Sequence, residues 1–192
     1  KAALDRHATS KLPGDDLLNI QNLGFRGEAL ASIAAVSRMK IMTRERDGDA
    51  WEIIAEGGRK GDVSPSSYPI GTQIEIRDLF FATPARLKFS KSDSTEYGHC
   101  QDMLLRLALV NPEVTFSIKH NDRETGRWLG CAEDSKEKFQ ERARDVLGKE
   151  FAENALYFEE KKPGYGLQLM AGLPTMSRSQ ATHQYFFVNG RS

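Results

Sequence analysis

The chain has 192 residues, 39% of them apolar and 28% charged, and 27 basic side chains balance 27 acidic ones. That length holds one good core or two modest ones, and the composition is that of a soluble globular protein. A formal charge of zero gives no general attraction to nucleic acid, so any such contact must be a local patch. No apolar run approaches a membrane span and no signal peptide opens the chain. Cys100 and Cys131 lie far apart without metal spacing; they read as reduced thiols, which favours a cytosolic origin. A start at Lys1 and an end just after "FVNGRS" suggest a piece of something longer.

In chain order, the polar cluster Thr9-Ser10-Lys11 comes first, followed by a stretch with little periodicity. Next, "LGFRGEALASIAAV" (23–36) sets Arg26 between Gly24 and Gly27. It then runs into the helical spacing of Leu30, Ile33 and Ala34, which predicts a helix over 28–36. A helix mouth with free N–H groups suits an anion, and a flap could carry the hydroxyls and ammonium of residues 9–11 towards it. The glycine spacing fits a turn with close packing equally well. Glu28 would repel a phosphate unless its carboxylate faces elsewhere.

"MKIMTRE" (39–45) and "AWEIIAEGG" (50–58) predict a hairpin around Asp47-Gly48. "GTQIEIRDLFF" (71–81) alternates, placing Thr72, Ile74 and Ile76 on an inward face. A buried Thr72 hydroxyl would need a partner, a neighbouring carbonyl or a ligand or fixed water, whereas a threonine at the strand end would touch water. Pro84 limits "FFATPARLKF" (80–89) to a turn or edge, with Arg86 laying its stem on apolar neighbours. A helix follows Asp93, with Glu96 in capping-box position; its buried stripe is Cys100, Met103, Leu104, Leu107 and Ala108, and Asn111-Pro112 stops it. "EVTFSIKH" and "ETGRWLG" read as strands. Asp134 and Glu137 open a helix with Phe139, Ala143, Val146 and Leu147 on its apolar face and Gly148 at its end. Strands are expected at 154–160, 166–173 and 183–189. The fold class is α+β with a mixed or antiparallel sheet. His7, His99, His120 and His183 show no ligand spacing, and no Ser/His/Asp grouping emerges.

Four motifs in order, "RHATSKL", "LGFRGEALASI", "GTQIEIRDLFFATPARLKF" and "FVNGR", resemble those of MutL-type DNA mismatch repair proteins. That family belongs to the GHKL ATPases, with type II topoisomerase ATPase subunits and histidine kinases. The resemblance implies the latter part of a GHKL (Bergerat-type) ATPase sandwich over residues 1–132. The start of an α+β transducer domain would follow over 133–192. It places Thr9, Ser10 and Lys11 in an ATP lid and lets Gly24, Phe25, Arg26, Gly27, Glu28, Ala29 and Leu30 wrap the triphosphate. Thr72 would lie beside the adenine and hold it through water, and Arg191 would contact a DNA phosphate in a groove of the transducer.

The family's general base and magnesium-holding Asn lie in an upstream Glu-x-x-x-Asn helix, and its adenine loop is Asp-x-Gly-x-Gly. Neither precedes Lys1 here. Glu150 and Asn154 match the Glu-x-x-x-Asn spacing but lie on the wrong side of the lid, and Tyr157 replaces the aspartate that should follow. The expectation is therefore an internal, bacterial, cytoplasmic and nucleoid-associated fragment, inactive alone, with cofactor binding by the fragment itself left open. Its parent would bind ATP with magnesium and hydrolyse it slowly, dimerise with ATP, and bind DNA. It would also couple a mismatch recognition protein of the MutS type to a downstream endonuclease and helicase, with no membrane partner. Two alternatives stand beside this: a GHKL topoisomerase ATPase region, and a non-catalytic module binding DNA or repair partners.

Overall fold

The computed structural model describes residues 1–11, 24, 26–131, 136–177 and 184–191. They form two compact units, 1–91 and 92–192. The boundary expected from the resemblance, between 132 and 133, falls among residues 132–135, outside the described ones.

The first unit is built on alternation. β1 (Arg38–Arg44) pairs antiparallel with β2 (Ala50–Glu56), from Arg38 opposite Glu56 to Arg44 opposite Ala50. This is the hairpin expected around Asp47-Gly48. Short β3 (Arg59–Lys60) and β4 (Ser64–Pro65) flank β2, while β5 (Gly71–Arg77) pairs with β1, giving the order β3-β2-β1-β5. The registers align Met39, Ala55 and Ile76, then Ile41, Ile53 and Ile74, then Thr43, Trp51 and Thr72, each set on one face. The helix α1 (Ala29–Ala34) and a 3-10 turn at Ala2–Leu4 cover the β1–β2 part of that face. Leu4, Ala34, Met39, Ile53 and Ala55 are buried there, with Leu30, Ile33 and Ile41 packed against them. Burying Met39 alone contributes about 2–3 kcal/mol. The opposite face is polar, with Lys40 and Glu52 3.1 Å apart and Arg38 and Glu56 2.7 Å apart.

Cover does not extend to β5, so Ile74 and Ile76 are 43% and 44% exposed and Thr72 is exposed with them. Of the alternatives for Thr72 the structure shows the exposed one: alternation put it on the right face, at the strand end and beyond the reach of the covering helix. β5 ends at Arg77, because Asp78 and Phe80 take positive φ (49° and 68°) and turn the chain into the short α2 (Pro84–Leu87). Arg38 secures that turn, 2.5 Å from Asp78 and stacked 4.6 Å from the Phe81 ring centre. Arg86 is exposed, so its expected apolar bed is absent.

The second unit comprises α3 (Asp93–Val110), β6 (Phe116–His120), β7 (Arg123–Trp128), α4 (Lys136–Leu147), α5 (Lys149–Glu153), β8 (Ala155–Lys162) and β9 (Tyr165–Gly172). Ser92, one residue before the expected start, is the N-cap of α3, and its hydroxyl meets those of Ser94 and Thr95. Ala108 and Leu109 are buried near the C-terminal end of the helix and Tyr97 stacks on His120 in its first half, whereas Cys100 and Met103, expected in the stripe, are exposed.

α4 brings Arg142 into the interior, where it is 2% exposed. Its Nη2 donates to the carbonyls of Pro112 and Val114 at 2.8 Å and of Leu129 at 3.0 Å. One guanidinium therefore ties the helix to both ends of the β6–β7 hairpin. Burial lowers its pKa, while the negative charges of Asp145 and Glu113 oppose that shift. β8 and β9 form a second hairpin; Tyr157 on one face packs against Phe139 of α4. The strand expected at 183–189 is not found over 184–187, and residue 183 lies outside the described ones. Val188 and Arg191 instead bracket a two-residue turn, Asn189 and Gly190, both with positive φ. Asn-Gly is the usual occupant of such a turn.

Candidate nucleotide-binding loop

Two segments far apart in sequence meet at the entrance to α1. Gly27 has φ +62°, and a Cβ there would lie 2.4 Å from the Ala8 carbonyl oxygen. Only glycine allows both the backbone conformation and so close an approach. "RHATSK" and the glycine loop are thus in backbone contact. At Gly24 an added Cβ would come within 3.5 Å of Lys11 Nζ, so the ammonium stands over the loop. Thr9 accepts a hydrogen bond from the Lys11 amide at 3.2 Å, which folds the strap on itself. Leu30, packed against the core, seats the loop on the sheet.

The remaining expected residues are placed as follows. Ser10, Lys11, Gly24, Arg26 and Ala29 are exposed, while Thr9, Gly27 and Glu28 are half-buried. Phe25 lies outside the described residues. Glu28 is the N-cap of α1 but makes no capping hydrogen bond; its carboxylate is 3.5 Å from His7 Nδ1. α1 runs for six residues, shorter than expected, so its dipole is weak and an anion here would rest on loop amides and on Lys11 and Arg26. Thr72 Oγ1 lies 2.8 Å from the Thr43 hydroxyl on the paired strand. Arg191, half-buried, closes the Asn189-Gly190 turn through backbone bonds of 2.8 and 3.0 Å to Val188.

Sequence spacing missed two residues at this loop, His7 and Ala8. Their partners, Glu28 and Gly27, lie beyond the reach of any local pattern. The Glu150/Asn154 pair has a structural use: Asn154 caps α5 by donating to the Glu150 carbonyl at 2.9 Å. Tyr157, just beyond that pair, is raised to a pKa of about 12 by burial and then by its bond to Glu159.

Two surface hollows, of about 650 and 710 Å3, have none of the loop residues in their linings. One is bordered by Ile54, Arg59 and Phe81, the other by Arg127, Trp128 and Arg142. Among the described residues no group of three His, Cys, Asp or Glu side chains is placed to hold a metal ion. Nor is any described helix long and apolar enough to cross a membrane.

Known proteins match this architecture over most of its length. Residues 143–192 match the family model described as "DNA mismatch repair protein, C-terminal domain". The chain is 48% identical, over 98% of its length, to the DNA mismatch repair protein MutL of Rhodospirillum rubrum, and 43% identical over the same share to that of Rickettsia felis. It spans 30% and 31% of those relatives. Among solved structures, a MutL ATPase domain of Aquifex aeolicus complexed with ADP is 31% identical, with a TM-score of 0.64 over 80% of this chain and 57% of that one. The N-terminal domain of a DNA repair protein shares the fold, with a TM-score of 0.68 over 97% of this chain and 58% of that one, at 20% identity. The α+β fold is that of MutL ATPase domains.

Proposed function

We propose that this chain, which belongs to the MutL family of DNA mismatch repair proteins, supplies the lid that closes over the triphosphate of ATP. In this reading residues 1 to about 132 serve the ATPase domain and the remainder begins the transducer. The contact between Gly27 and the Ala8 backbone carries the proposal. It joins the two lid motifs and leaves the neighbouring amides, Lys11 and Arg26 around one loop. Amides and cations fixed in this way stabilise the charge that builds on a transferring phosphoryl group. Thr9 and Ser10 add hydroxyl donors, and Thr72 orients the adenine through water. A magnesium ion, when bound, neutralises phosphate charge.

Arg191, on its turn, contacts a DNA phosphate, strengthening binding in a salt-dependent way without reading sequence. The whole protein hydrolyses ATP slowly, dimerises when ATP is bound, and links a MutS-type mismatch recognition protein to endonuclease and helicase partners. This chain alone turns over ATP negligibly. Turnover that survives purification controls and is lost on Arg26→Ala would contradict that division of labour. Replacing Arg191 by Ala should weaken DNA binding equally across sequences and reduce its salt dependence by about one counterion.

A further inference from the structure

The proposed triphosphate loop carries an acid in the wrong place, and the structure shows how it is held. Glu28 directly follows Gly27, so its carboxylate lies within side-chain reach of any anion bound to the loop amides. His7 Nδ1 stands 3.5 Å from Glu28 Oε1. His7 itself has φ +63°, a left-handed conformation that a side chain bearing a Cβ adopts only when its surroundings impose it. Ala8, the next residue, is pinned beneath Gly27, and Thr9 accepts from the Lys11 amide. The strap is thus fixed at two points immediately after His7, and its backbone directs the imidazole at the acid.

We propose that His7 is a positioning residue for the triphosphate loop: its imidazole, 3.5 Å from Glu28, draws that carboxylate aside, so that the loop can accept an anion. This rests on the nucleotide reading of the loop, and it names what makes that reading electrostatically workable. Lys11 and Arg26 cannot take over the task while serving as contacts for the phosphates. With His7 gone, Glu28 is released towards the site it borders. With both side chains neutralised, nothing needs holding aside.

The test has two arms, both on the intact chain. In the first, nitrogen-15 spectra of the histidine rings are compared between the unmodified protein and Glu28→Gln. The His7 ring signals should shift while those of His99 and His120 stay in place; an unchanged His7 ring overturns the pair. In the second, inorganic tripolyphosphate is titrated and its affinity compared among variants. His7→Ala should weaken binding by roughly threefold to tenfold, and adding Glu28→Gln to that variant should restore it to within about twofold. No loss in His7→Ala, or no recovery in the double variant, overturns the positioning role. If the His7 ring responds to Glu28→Gln but the unmodified chain binds no tripolyphosphate, the nucleotide reading itself fails and the positioning role falls with it.

Discussion

The two units reach stability by different routes. In residues 1–91 the core is apolar and local: Met39, Ile53 and Ala55 on two paired strands, closed by Leu4 and Ala34. In residues 92–192 Ala108, Leu109, Trp128 and Ala143 are buried as well, but among the described residues a charged side chain, Arg142, shares that interior and meets three carbonyls flanking a neighbouring hairpin. An apolar core tolerates imperfect packing, whereas a polar keystone leaves buried acceptors unsatisfied when it is removed. The loop proposed to hold nucleotide rests on the apolar unit, through Leu30 packed against its core.

That comparison can be broken by substitution. Arg142→Ala should have the largest effect, roughly 3–5 kcal/mol, since it strands buried carbonyls and opens a cavity. Hydrogen exchange should show lost protection in β6 and β7 while β1 and β2 keep theirs; equal loss in both units would erase the distinction. Met39→Ala should cost about 3 kcal/mol and show the opposite pattern in the same experiment. Gly27→Ala, by forcing a Cβ onto the Ala8 carbonyl at positive φ, should cost about 1–3 kcal/mol. Its signature would be faster exchange in residues 7–11 with the sheet intact.

The smallest effect is one of pH. Lys40, and then the Ser66 hydroxyl, hold Glu52 below its ordinary pKa. A lowered folded-state pKa contributes stability that is complete above the ordinary glutamate range and lost as pH falls through the lowered value. Glu52→Gln should therefore flatten the acid side of the stability curve while leaving its shape near neutrality unchanged, as urea unfolding at several pH values would show.

Much of this fold was legible because it is periodic. The β1–β2 hairpin follows from alternation around Asp47-Gly48, and α4 from its apolar face and the positive φ of Gly148 at its end. Alternation says which face a residue occupies, not how far the cover over that face extends, and so it could not tell a buried Thr72 from one touching water. The same limit applies along α3, where apolar spacing continues through Cys100 and Met103, which are exposed. At 183–189, aromatic and branched residues suggest a strand, yet the Asn189-Gly190 turn dominates locally. Arg142 left no mark in the pattern, because an arginine on a charged helix looks solvated until three carbonyls are found around it. Of the loop, the glycine spacing and flap residues were readable; the contact that joins them, and His7 beside Glu28, depend on the chain folding back on itself.

The central claim is that the strap and the glycine loop together form an anion site for a triphosphate. Amide chemical shifts of the chain, followed while ATP, inorganic tripolyphosphate or adenosine is added in separate titrations, test it most directly. The account predicts that ATP and tripolyphosphate both move Thr9, Lys11, Gly24, Gly27 and Glu28, while adenosine leaves them in place. Shifts confined to other regions, or a loop that responds to adenosine and not to tripolyphosphate, would contradict it.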